Sequence, residues 1–395
     1  MMEQQLPGKK LYRDRNLLII FAVTLMAVMG VSSIAPALPT IMEALQISRT
    51  EVGLLVVAFT LPGVILTPFA GILGDRIGRK RVLVPSLFLF GIAGSACAFT
   101  SDFPVLVTLR ALQGFGAAAL GALSLTVIAD LYSGARRAEA MGLNTSILSV
   151  GTLSYPLIGG VLATFRWNYP FLMALAGIPI GLIVLFYLHN PEPTSNTRLK
   201  DYLSGTWDYL KDIRALSAFM VGIIGFILLY GVMITYTPLY LDNAFAASPL
   251  IIGVINSSMS LSTALVASQL GRLSRKISVT RLIMLGLIIC AAALALLPSM
   301  PVIELVFLPI IIYGVGWGII TPSVQTYVAG LAPLEYRAAF MSINGMMLRL
   351  GQTLGPLVIG LAYAFGGFSG AFYFGAGLAV LAVLIGIVGG RIIRR

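Results

Sequence analysis

Residues Gly71-Ile72-Leu73-Gly74-Asp75-Arg76-Ile77-Gly78-Arg79-Lys80-Arg81 carry five charges and three glycines between two long apolar runs. Such a stretch reads as a charged hairpin joining two membrane spans. The chain around it agrees, because 58% of its residues are hydrophobic, only 10% are charged and the mean hydropathy is +0.95. A soluble globule of 395 residues could not cover itself with so little polar surface. A spanning helix needs about 20 apolar residues, and twelve such runs are centred near residues 28, 62, 90, 118, 150, 178, 228, 260, 289, 317, 350 and 379. The runs are long and continuous, unlike the short alternating segments of barrel strands, so an all-α integral membrane fold is expected.

The net charge of +11 would suggest nucleic acid as a partner in a soluble protein. Here the position of the charges excludes it. With the N-terminus inside, every Lys and Arg except Arg49, Arg110, Arg166 and Arg349 falls in a cytoplasmic segment. The positive-inside rule then places both termini in the cytoplasm of a multi-pass protein of the plasma or inner membrane. The first apolar run is longer than a signal-peptide core and is read as a span that is kept. Cys97 and Cys290 both lie within apolar runs and there is one histidine, so no metal, disulfide or cofactor site is suggested.

Shifting the chain by 200 residues superimposes it on itself. Gly71, Leu73, Ile77 and Arg81 fall on Gly271, Leu273, Ile277 and Arg281, and Arg137, Asn144, Gly151, Pro156 and Gly160 fall on Arg337, Asn344, Gly351, Pro356 and Gly360. Matched Leu is easily fortuitous; matched Pro, Asn, Arg and Gly in one register is not. Two parallel six-helix halves, residues 1–188 and 214–395, are expected around a central cavity, joined by a cytoplasmic linker over 189–213 that could carry a short surface helix. A monomer is expected.

The hairpin resembles the loop between spans two and three of the major facilitator superfamily. The resemblance covers nearly the whole chain and is closest to its twelve-span drug and proton antiporters. It implies a latch on the cytoplasmic side: Asp75 facing the start of span eleven near Arg337, and Arg79 pairing with Asp130. Gly71 and Gly74 would allow close helix crossing, and Gly78 suits a tight turn. The second copy of the loop has Arg275 where the aspartate would be, so the latch is expected to be one-sided.

Arg110 and Gln113 in span four are similar to the antiporters' Arg, Gln, Gly and Gly motif, and share a helix face. A charge within a span costs about 2.5–3.5 kcal/mol on insertion scales and usually faces an interior or a watery path. Arg110 is therefore expected to line the central pathway, with a structural pair near the outer membrane surface as the alternative. Span five has Gly151, Pro156, Gly159 and Gly160, similar to the antiporter motif except that Tyr155 replaces a glycine. These small residues and the proline would let the helix bend.

Arg349 lies about 18 Å along span eleven, by a rise of 1.5 Å per residue, and so near the midplane. It is a candidate substrate ligand, or a charge satisfied by carbonyls or Gln352. Asn144 and Asn344 either line the cavity or bond between helices. Tyr230, Asn256, Tyr313 and Trp317 complete the candidate substrate-binding set. No acidic residue falls clearly within a span, whereas two arginines do, which favours an anionic or neutral ligand over a cation.

The expected function is secondary active transport by alternating access: proton-coupled efflux of a small molecule, drug-like or an anionic or neutral metabolite. Uptake or facilitated passage of an organic anion is the alternative. A membrane enzyme would need a nucleophile, metal cluster or carboxylate pair that the sequence does not offer; a channel or non-transporting receptor on the same fold is the remaining class.

Overall fold

The computed structural model describes residues 11–189, 212–331 and 337–391. Regular structure among them is helical throughout. Ten spans are single runs: α1 Arg15–Leu45, α2 Arg49–Ile77, α3 Arg79–Phe99, α4 Phe103–Leu131, α5 Gly134–Phe165, α6 Tyr169–Tyr187, α7 Ile213–Phe245, α8 Pro249–Leu273, α9 Val279–Ser299 and α10 Ile303–Leu331. The last helical stretch, Arg337–Arg391, has 55 residues. At 1.5 Å per residue it would be about 80 Å long, more than twice a bilayer's apolar core of about 30 Å. It breaks at Gly367, whose φ of 60° and ψ of −156° suit glycine alone. Residues 337–366 are α11 and 368–391 are α12, so the chain crosses twelve times.

The 200-residue register persists in the backbone. The left-handed helix ends at Gln46 and Ala246, the caps Ser48 and Ser248, and the bounds of α4 and α10 are all 200 apart. Capping side chains set the starts. Ser48 Oγ accepts from Glu51 N–H while Glu51 takes the Ser48 N–H, and Asp102 Oδ1 accepts from Val105 N–H at 2.9 Å. Acids near span ends are thus partly spent on orphan amide groups.

Two sets of buried apolar side chains fill the molecule. One lies among α1 to α6, with Leu17, Ile20, Phe90, Leu120 and Val127 at its centre, and Tyr230 and Ile234 of α7 pack on it. The other runs without interruption from Ile34, Leu38, Ile41, Val52 and Leu55 into Tyr236, Leu239, Phe340 and Phe372. The two helix sets therefore share a core at the end of the molecule that carries Arg49.

At that Arg49 end the seams are tight. Between α5 and α8, a Cβ added to Gly160 would overlap the Pro249 carbonyl and one on Gly253 the Pro156 carbonyl, and Ser257 Oγ donates to Leu153 O at 2.7 Å. Further along, Gly142 and Gly271 have nothing within 4 Å of an added Cβ, and Thr145, Ser146, Ser268 and Gln269 are exposed. The molecule is closed at the Arg49 end and open toward the basic end, where α3 starts with Arg79, Lys80 and Arg81.

Of the expected linker, residues 190–211 lie outside the described residues. His189, at its start, takes a backbone bond to Asn16 Oδ1 at 3.1 Å.

Candidate functional site

Arg349 sits where α11 meets α2. Gly63 makes room for it: a Cβ there would stand 3.1 Å from Arg349 Cδ and 3.3 Å from Nε. One turn on, Thr353 Oγ1 bonds to Thr60 Oγ1 at 3.0 Å and also donates to the Arg349 carbonyl. The guanidinium donates through Nη1 to Gln352 Oε1 at 3.1 Å and lies within electrostatic reach of the Tyr230 hydroxyl of α7. It is partly exposed, and among the described residues no carboxylate lies within ion-pair distance of it. The expected midplane arginine is thus a cation facing the space between the two helix sets, held by one amide.

Separately, α7, α10 and α11 enclose an apolar slot lined by Gly225, Phe226, Trp317, Thr321, Gln325 and Leu348. Gly225 admits the indole, since a Cβ there would be 3.2 Å from Trp317 Cζ3. Trp317 meets Phe226 edge-on at 5.2 Å, and Phe226 is 6.1 Å from Tyr230, so aromatic rings lead from the slot toward Arg349. Thr321 Oγ1 is buried without a partner.

Tyr230 stands in an unusual backbone. Leu228–Tyr236 is π-helical, nine residues long, and the Thr235 and Thr237 hydroxyls donate to the carbonyls of Tyr230 and Val232, at 2.7 and 2.9 Å. Runs of π-helix are rare and usually short. This one passes closest to α11 at Gly231, where an added Cβ would overlap the Gly355 carbonyl. No apolar period announces it.

The two repeat-matched asparagines differ. Asn144 is held between helices, its Oδ1 accepting from Thr24 Oγ1 at 2.8 Å. The position equivalent to Thr24 is Ile224, and the 2% exposed Asn344 is left with an unpartnered Oδ1. Asn256 is buried with Oδ1 unpartnered, and Tyr313 is buried beside Cys290, whose thiol donates to the Tyr313 carbonyl; neither reaches the Arg349 region by any bond found here.

Arg110 corrects an expectation. It does not line an open pathway in this conformation but is 0% exposed, sealed among α2, α3 and α4. Its Nε donates to Leu55 O at 3.2 Å, its Nη1 to Gln113 Oε1 at 2.6 Å, and its charge stacks 4.4 Å above the Phe59 ring. Phe59 can come so close because Gly114 presents no Cβ to the Phe59 carbonyl. Arg110→Ala is expected to destabilise the protein by on the order of 2–4 kcal/mol, since it leaves a void and takes the donor from the buried Gln113 Oε1. Thermal unfolding in detergent would read this as a Tm well below that of Arg349→Ala.

At the basic end Arg79, only 6% exposed, places Nε 3.1 Å from Asp130 Oδ2. Gly74 lies under it, with 2.7 Å from an added Cβ to Leu123 Cδ2 and 3.2 Å to Arg79 Nη1, and Gly78 ends α2 at a φ of 102°. Gly71 is in the last turns of α2. The side chains of Asp75 and Arg337 lie outside the described residues, and with them the proposed contact between the two.

The glycine stretch of α5 packs rather than breaks: the helix runs from Gly134 to Phe165 through Pro156 without interruption. Gly151 faces Leu25 and Val28 of α1, Gly159 the Ser33 carbonyl of α1, and Gly160 the start of α8. At the Arg49 end itself, Arg49 Nη1 donates to Tyr363 Oη at 3.0 Å and lies 5.4 Å over the Phe368 ring, tying α2 to α11 and α12.

The chain matches the family model of the Major Facilitator Superfamily over residues 20–329 and 218–391. It is 27% identical over 356 residues to multidrug resistance protein 1 of Bacillus subtilis (strain 168), covering 89% of this chain and 90% of that protein. It is 26% identical over 363 residues to the bacillibactin exporter of the same organism, covering 87% and 89%. In fold it is similar to a bacterial homologue of the human lysosomal transporter Spinster, in an inward-facing, unoccupied conformation, with a TM-score of 0.78, 18% identity and coverage of 97% and 96%.

Proposed function

This chain belongs to the major facilitator superfamily and is a multi-pass membrane transporter of a small molecule, and from that premise we propose that it is a proton-coupled exporter working by alternating access. The observation that carries the reading is the asymmetry of the seams: closed at the Arg49 end, open at the basic end, with Arg349 between. A permanent pore would be open at both ends. In this reading the basic end and both termini are cytoplasmic, the membrane is the plasma or inner membrane, and residues 1–188 and 214–395 rock as two units of a monomer joined by residues 189–213. Export is supported by likeness to proteins named for multidrug resistance and bacillibactin export.

The proton carriers in this proposal are Asp75, Asp130 or an acid at the Arg49 end. Capping narrows that last group. Glu51 and Asp102 hold helix starts, which leaves Glu43, Asp242 and Glu304, of which Asp242 is near enough to Arg49 to feel its charge. Among the described residues no carboxylate lies within ion-pair distance of Arg349, so in this proposal proton and substrate occupy separate places.

Purified protein in liposomes with pH gradients of each sign tests the proposal. Saturable uptake into the acidic lumen of inside-out vesicles, with counterflow, is the expected result; flux without counterflow would show a channel, and accumulation only with the opposite gradient would show uptake. Arg49→Ala is expected to weaken the closed Arg49 end by about 1 kcal/mol, roughly fivefold in the balance of states. A single cysteine placed at Ser146, on the open side, would label correspondingly more slowly with maleimide.

A further inference from the structure

Three unrelated features lie around α11, where Arg349 packs against α2 within electrostatic reach of Tyr230 and the apolar slot opens toward α7 and α10. The first is Arg349, a cation within the span whose only bonded side chain among the described residues is a neutral amide. The second is the aromatic path of Trp317, Phe226 and Tyr230, with ring steps of 5.2 and 6.1 Å, beside an apolar slot. The third is a pair of buried oxygens that bond to nothing, Thr321 Oγ1 in the slot wall and Asn344 Oδ1. Asn344 precedes the slot residue Leu348 by four positions and so shares its helix face. Buried polar groups and charges are ordinarily satisfied, and where they are not, a missing partner is the first explanation to test.

We infer that the substrate is an amphiphilic organic anion, its aromatic body lying along Trp317 and Phe226 and its carboxylate on Arg349. This rests on the transporter reading and deepens it. A cation would meet Arg349 with no carboxylate to offset it, whereas a carboxylate would supply the acceptor the guanidinium lacks, in the planar two-oxygen form that arginine prefers. Neutral hydrogen-bond donors on the ring system would suit the Thr321 and Asn344 oxygens.

Three probes of one shape separate the possibilities: biphenyl-4-carboxylate, its neutral carboxamide and the aminomethyl analogue, which is a cation. Equilibrium binding to purified protein is read by competition against tritiated carboxylate, and directly with tritiated carboxamide. The carboxylate is expected to bind at least about 10-fold tighter than either other probe. Arg349→Gln should bring the carboxylate down to the carboxamide's affinity while leaving the carboxamide unchanged, which also shows that the variant is folded. Arg349→Lys should keep part of the preference, and Trp317→Ala should weaken all three probes alike.

Equal binding of the three, tightest binding of the cation, binding of none, or an unchanged preference in Arg349→Gln would each overturn the inference. Failure of the broader reading looks different. pH-driven transport of a cationic dye without anion preference would leave the transporter standing and remove the anion. Tight carboxylate binding without counterflow of any compound would do the reverse.

Discussion

Arg349→Ala is expected to reduce transport by on the order of 100-fold while leaving expression and thermal stability at or above those of the parent protein. The two halves of that expectation have one origin. A guanidinium at mid-span that has no ion-pair partner among the described residues is costly to bury, so removing it relieves the folded state. Its bond to Gln352 is a single contact with a neutral group, and Gln352 can turn to other donors. To a bound anion, however, the same group offers a charge-assisted bond of about 1.5–3 kcal/mol, or roughly one to two decades in affinity. Initial rates in vesicles, set beside Tm in detergent, separate the effects. Full transport by the variant would remove Arg349 from the mechanism, and a collapsed Tm would make it a structural residue instead.

Gly160→Leu is expected to arrest the transport cycle without unfolding the protein, whereas its neighbour Gly159→Leu should prevent proper folding. Both glycines lack room for a Cβ, and both face a carbonyl oxygen that cannot move like a side chain. They differ in what owns that carbonyl. Gly159 faces Ser33 of α1, within the same set of six helices, and that packing must hold in every state. Gly160 faces Pro249 of α8, across the seam that closes the Arg49 end. A leucine there penalises only the conformation in which α5 and α8 touch, by about 1–3 kcal/mol or more where backbone is struck. The reporter cysteine at Ser146 should then react more slowly with maleimide as the basic end closes, and transport should fall at least tenfold. Unchanged labelling and transport would mean that this seam does not govern the cycle.

The architecture was legible because its signals are local and repeated. The charged hairpin, the apolar run lengths and the 200-residue register appear in the backbone as span boundaries and as left-handed ends at Gln46 and Ala246. The site was less so, because a helix face can be read from spacing but its neighbour cannot. Arg110 and Gln113 do share a face, yet nothing in span four says that Phe59 and the Leu55 carbonyl will close over them. Arg349 could be placed in depth by counting; that Gly63 opposes it could not. Asn144 and Asn344 match in sequence, and only their partners, Thr24 and Ile224, set them apart. The π-helical stretch of α7 left no mark at all beyond Gly231 and two threonines.

The shared core at the Arg49 end has a bearing on how the chain is made. Residues before 190 emerge from the ribosome first and bring with them Ile34, Leu38, Ile41, Val52 and Leu55, whose core is completed only by side chains of the later helices. All five are aliphatic, so acyl chains can cover them while synthesis continues. Arg349 and Asn344, polar groups of the central region that are not fully compensated, sit on α11 and enter late, when a surface to receive them is already in place. The order of the halves along the chain is therefore also an order of insertion in which the lipid-tolerant face waits for the intolerant one.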